Sequence, residues 1–133
     1  MRKSKEIINL PIVSILEGRE LGIVRDLVIN PATATVVALA IDDGIWYLGA
    51  KILPFYAIKG LGKGAITVHT ADNLLPITEA TDAVQFLHSG VRIIGVKVLS
   101  STGQLQGKVT DYLIDHEGKI VSCEIDSIHG ESI

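Results

Sequence analysis

Around Pro11-Ile12-Val13-Ser14-Ile15 apolar and polar side chains alternate, the period of a strand with one wet face. Residues 36–41, Val-Val-Ala-Leu-Ala-Ile, depart from that period, because both faces are apolar. Such a strand is either covered on both sides or part of a contact surface. After the turn Asp42-Asp43-Gly44, Ile45-Trp46-Tyr47-Leu48 reads as a further strand, followed by the proline-bearing segment Ala50-Lys51-Ile52-Leu53-Pro54-Phe55. Gly60-Leu61-Gly62-Lys63-Gly64 then leads into a closing strand at residues 65–68. Short strands divided by glycine and proline turns predict a mainly β chain, a small barrel or sandwich rather than a βαβ arrangement. The period changes between residues 79 and 88, where Ala80, Ala83, Val84 and Leu87 share one helical stripe. Thr78 suits the N-cap of that helix, Glu79 and Asp82 its positive end, and Gly90 its stop. A strand is expected to resume over residues 91–98.

The chain also repeats itself. Gly18-Arg19-Glu20-Leu21-Gly22-Ile23-Val24-Arg25-Asp26-Leu27-Val28-Ile29-Asn30 returns as Gly103-Gln104-Leu105-Gln106-Gly107-Lys108-Val109-Thr110-Asp111-Tyr112-Leu113-Ile114-Asp115. The shared frame is G-x-x-x-G-x-V-x-D, two apolar residues, isoleucine, then Asn or Asp. The next strand repeats with one residue lost from the turn: residues 36–41 align with Ile120-Val121-Ser122-Cys123-Glu124-Ile125. In that second copy Val121, Cys123 and Ile125 fall on one face, so Cys123 reads as a buried thiol, while Ser122 and Glu124 fall on the other. Gly18 and Gly103 lie in turns between strands, and Gly22 and Gly107 open the next strand, where a missing side chain permits a bend or close approach. Asp26 and Asp111 interrupt apolar strands and read as acceptors for backbone N–H groups at a bulge, since neither has a histidine or second acid in its motif.

These residues resemble the PRC-barrel family, named for the cytoplasmic domain of the photosynthetic reaction-centre H subunit. The likeness rests on Gly18, Leu21, Gly22, Val24 and Asp26-Leu27-Val28-Ile29, on residues 36–41, on Leu53-Pro54-Phe55-Tyr56-Ala57-Ile58, and on residues 62–68. The second copy joins it through Gly103, Gly107-Lys108-Val109, Asp111, Leu113-Ile114-Asp115 and Glu117-Gly118-Lys119-Ile120. The resemblance implies a first barrel unit over residues 6–76, a helical connector over 77–90 and a second, shortened unit over 91–133. It implies a docking or assembly module and supplies no catalytic residue. The chain looks most like small stand-alone or tandem members; the roles of the reaction-centre subunit and of the ribosome-maturation factor with a similar C-terminal domain are not transferred to it.

Unequal copy lengths bear on partners. The second copy has little chain after residue 125 where the first has a hairpin, a proline-bearing segment and a closing strand. A sheet edge and one side of Val121, Cys123 and Ile125 would then lie open. The chain can cover them with residues 65–68 or the connector helix, or with a second subunit, and the expectation is a homodimer to which the second unit contributes. Trp46, Tyr47 and Phe55 mark a possible surface for an unidentified protein partner. They either close the barrel core or leave Trp46 or Tyr47 exposed as an anchor.

Composition narrows the chemistry. With 47% apolar residues, 20% charged residues and a formal charge of -3, the chain can bury a core but does not suit wrapping nucleic-acid backbone. The part through Thr78 is slightly basic and the remainder acidic, which keeps ribosomal RNA or a ribosomal protein as an alternative partner. Against it, Arg2, Lys3, Lys5, Arg19, Arg25, Lys51, Lys59 and Lys63 are scattered, with no aromatic stacking motif. The uncharged run between Asp26 and Asp42 falls short of the roughly 20 residues of a membrane span, and polar residues break the apolar stretch after the basic start. A single cysteine makes no internal disulfide. The chain reads as cytoplasmic. Gly60-Leu61-Gly62-Lys63-Gly64 lacks the spacing, the Ser or Thr and the helix of a phosphate loop. Cys123 and His129 lack zinc-ligand spacing, and the histidines form no catalytic pattern. The expectation is no enzyme, no metal and no cofactor.

Overall fold

A strand apolar on both faces needs cover on two sides, and the chain supplies it from elements far apart in sequence. The computed structural model describes residues 2–44, 51–76 and 93–127. In chain order these form β1 (Arg2–Lys3), α1 (Ser4–Ile7), β2 (Pro11–Ser14), β3 (Arg19–Asn30), β4 (Thr35–Asp42) and β5 (Lys51–Pro54). A 3-10 turn at Phe55–Ala57, β6 (Gly60–Leu61), β7 (Ile66–Val68), a second 3-10 turn at Ala71–Asn73 and β8 (Leu75–Pro76) follow. The second half holds β9 (Lys97–Leu99), β10 (Leu105–Ile114) and β11 (Ile120–Ser127). The chain is mainly β, as its pattern predicts.

The larger sheet is seven-stranded, in the order β6-β7-β2-β3-β4-β5-β8. All neighbours are antiparallel except β2 and β7, where Ile12 lies beside Ile66 and Ser14 beside Val68 in parallel. The smaller sheet centres on β10, with β11 along one edge and β1 and β9 sharing the other. β4 sits between two packed faces. Val36, Leu39 and Ile41 join a core with Ile7, Ile12 and Leu53, while Ala38 and Ala40 pack with Val28 and Ile52 on the reverse side. The first of those cores also takes Tyr112 and Ile114 from β10, so both halves bury side chains in one interior. Each fully buried Leu or Ile contributes about 1.5–3 kcal/mol relative to exposure.

Two sequence expectations meet a different outcome, and two more fall on residues outside those described. The described residues contain one helix, α1, and it precedes the first barrel strand. One turn is too short to show a period. It is held by the Glu6 carboxylate, whose Oε1 accepts Lys3 N–H at 3.1 Å, and by complete burial of Ile7. The connector helix of residues 77–90 and the Ile45-Trp46-Tyr47-Leu48 strand lie outside the described residues. Of the strand expected over 91–98, the described residues from 93 onward enter β9 at Lys97, after a turn in which Gly95 takes φ 89° and its N–H donates to Val109 O at 2.7 Å. Cys123 is exposed, not buried. Its alternation is that of a strand, but among the described residues nothing closes over its face.

Candidate docking surface

Within each long hairpin the pairing register slips at equivalent places. Val24 lies opposite Ile41 and Asp26 opposite Ala40, which leaves Arg25 as the extra residue of a bulge. Val109 lies opposite Ile125 and Asp111 opposite Glu124, which leaves Thr110 in the same role. A second irregularity falls between Val28 and Ile29 in one hairpin and between Leu113 and Ile114 in the other. The entering strands agree as well, because Leu21 is extra against β2 and Gln106 is extra against β9. Before them, Asn9 N–H reaches Val24 O at 2.9 Å, as Gly95 N–H reaches Val109 O at 2.7 Å. Asn9 and Gly95 both take positive φ, 73° and 89°.

The two hairpin tips meet. Thr35 pairs with Lys119 across an antiparallel bridge. Val36 N–H donates to Gly118 O at 2.7 Å, and Ile120 N–H donates to Ala34 O at 2.9 Å. Exchanging the halves turns each of these bonds into the other, the pattern of a self-complementary contact about a two-fold axis. Gly118 is required at this crossing. It takes φ 87°, and a Cβ there would stand 2.7 Å from Val36 O.

The repeated aspartates serve the bulges. Asp26 Oδ1 accepts from Leu27 N–H at 2.8 Å, and Asp111 Oδ1 from Tyr112 N–H at 2.7 Å. Asp111 also accepts from Ser4 Oγ, so α1 seals it in the interior while Asp26 stays half-buried. Between them, burial pushes the Tyr112 phenol up, and the charges of Asp26 and Asp111 add to the shift. No hydrogen bond among the described residues joins either aspartate to a histidine. Gly18 and Gly103 occupy the turns before β3 and β10 with φ 65° and 85°, and Gly22 and Gly107 lie within those strands. Trp46 and Tyr47 lie outside the described residues; Phe55 is half-buried against the main core.

The halves differ at their edges. In the first, β2 is flanked by β7 and β4 by β5. In the second, the corresponding outer edges of β9 and β11 have no partner strand among the described residues, beyond the bridge at Lys119. Leu39, opposite Leu53, is fully buried, whereas its counterpart Cys123 is exposed. Val121 is 44% and Leu99 59% exposed, and Leu99 lies opposite Leu105, itself exposed. Sequence reasoning named Val121 but missed Leu99 and Leu105. A signal was present, since Leu105 stands in the frame where the first copy has the exposed Glu20.

Charge is less available to an anionic polymer than the sequence suggests. Lys3 pairs with Glu124 at 2.7 Å, and hydrogen bonding to that carboxylate raises its pKa. Arg25 pairs with Asp42 at 3.2 Å, and Arg2 turns onto Leu61 O at 3.0 Å. Among the described residues no group of His, Cys, Asp and Glu is arranged to hold a metal, and no helix is long and apolar enough to cross a membrane.

A scan against family models matches residues 1–75 to the PRC-barrel domain. A search of curated proteins gives no match.

Proposed function

The chain belongs to the PRC-barrel family, and from that premise we propose that it is an assembly module that pairs with a second copy of itself through the open side of its second half. The family's barrel is a non-enzymatic module that mediates protein interactions. Residues 6–76 form one unit in this reading, and 91–133 a second that repeats its hairpin and entering strand, with 77–90 as connector. The matching bulges support that division.

One observation carries the reading. β11 presents an outer edge without a partner strand among the described residues, beside exposed Val121 and Cys123, at the place where β5 covers β4 in the first half. An uncovered edge of this kind offers a row of backbone donors and acceptors to another strand. A symmetric partner satisfies both edges in one contact, and the tips at Thr35 and Lys119 meet by such a pairing within the chain. Light scattering over a wide concentration range is expected to give a mass near twice 14.2 kDa. Val121→Arg, placing a charge at the edge, is expected to shift the protein to monomer with its strand content unchanged. A monomer at every concentration would sink self-association and leave docking to a different protein.

A further inference from the structure

Arg2 is half-buried and only partly satisfied by its surroundings. β1 sets it opposite Ile114, and its Nη1 donates to Leu61 O at 3.0 Å. Its Nε is buried with no hydrogen-bond partner. Nη1 is engaged and Nε is enclosed, so what Arg2 brings to its surroundings is its fixed positive charge. An unpaired buried donor is costly unless something else meets it.

Arg2 borders a cavity of about 390 Å³ between the two halves, within the size range of small-molecule sites. Its apolar lining comes from Phe55, Ile58 and Leu61 of the first half and from Ile114 of the second. Lys59 and His116 add polar groups to the lining, and both are exposed. Asp115 also lines it, but its carboxylate accepts from Glu117 N–H at 2.9 Å and Lys119 N–H at 3.0 Å and is committed to its own turn. Among the lysine, arginine and carboxylate groups of the lining, Arg2 and Lys59 against Asp115 leave a single positive excess, which suits one negative charge and disfavours two.

We propose that this cavity binds a small organic monoanion, a carboxylate carried on an apolar body. The carboxylate is held by the positive charges of Arg2 and Lys59, and the body lies on Phe55, Ile58, Leu61 and Ile114. None of its lining residues belongs to β11, so the proposal does not rest on self-association through that strand.

The test is an NMR titration of the full chain with 3-phenylpropionate, its uncharged amide 3-phenylpropanamide, and inorganic phosphate. The carboxylate is expected to give saturable shifts at the Ile58, Leu61 and Ile114 methyls, and the amide to bind at least about tenfold more weakly, as loss of a charge-assisted pair implies. Equimolar phosphate is expected not to displace the carboxylate. Arg2→Gln and Lys59→Gln should each weaken binding, with Lys63→Gln, outside the lining, as the unchanged control. Lys59 is exposed, so its variant reports on the site even if Arg2→Gln disturbs β1. Equal affinity for acid and amide, displacement by phosphate, indifference to Lys59→Gln, or no saturation at millimolar ligand would each overturn the proposal.

Discussion

A side chain added at Gly22 would collide with the backbone of β4. Its Cβ would stand 2.5 Å from Asp42 O and 2.8 Å from Ile41 Cγ2, at a φ of 157°. Gly22→Val is therefore expected to cost about 1–3 kcal/mol, the range of an overpacked site. Urea denaturation measures it, and an unchanged midpoint would mean that the hairpin does not approach this closely in solution. The aspartates illustrate the opposite kind of residue, one kept for what it accepts. Asp26 and Asp111 each hold the N–H of the following residue beside a bulge. Their role could be anticipated because an acid within an apolar strand has few inexpensive partners other than nearby backbone. Ser4 as a second donor to Asp111 could not be, since it arrives from the far end of the chain.

Among elements, the β10–β11 turn is where a charge is tied most directly to local structure. Asp115 receives the N–H groups of Lys119 and Glu117, and these bonds hold its carboxyl below the usual range, the Lys119 bond contributing most. A depressed carboxyl stabilises the turn fully above its unfolded value of about 3.9 and loses that contribution as pH falls through the lower folded value. The amide resonances of Glu117 and Lys119 are expected to titrate together with a midpoint under about 3.9. A midpoint at or above that value would show that the carboxylate does not hold the turn. Cys123 belongs to this scale too. Its alternation with Ser122 and Glu124 is the ordinary pattern of a strand, but alternation tells only that two faces differ. Whether a face is covered depends on a neighbouring strand, which β4 has in β5 and β11 lacks among the described residues.

For the whole molecule, the shared interior matters more than the division into halves. Tyr112 and Ile114 of β10 pack in the same core as Ile12, Leu39 and Leu53 of the first half. β1 leaves the first half to pair with β10, placing Lys3 beside Leu113. Elements that bury side chains in one core lose them together, so unfolding is expected to be a single transition. At fixed protein concentration, the Ile12 and Ile114 methyl resonances should disappear with the same denaturant midpoint. Separate midpoints would show that the two units hold their own cores.

Local rules make a large part of this fold legible in the sequence. Alternation, turn glycines and the repeated G-x-x-x-G-x-V-x-D frame locate β2 through β4 and the strands β10 and β11, whose bulges fall at matching positions of that frame. The reason is that strand period, bulge and turn are set by residues a few positions apart. The apolar excess of residues 36–41 leaves two readings, cover on both sides or a contact surface, and the structure takes the first, with Ala38, Leu39, Ala40 and Ile41 all buried. Other features depend on which distant segments come together. These include the parallel approach of Ile12 to Ile66, the crossing of Arg2 onto Ile114, and the cavity walled by both halves. None leaves a periodic trace, because no single segment contains the contact. The edge of β11, without a partner strand among the described residues, lies between these cases. The inequality of the copies points to it, while the exposure of Cys123 and Val121 follows from what packs beside that strand and what does not.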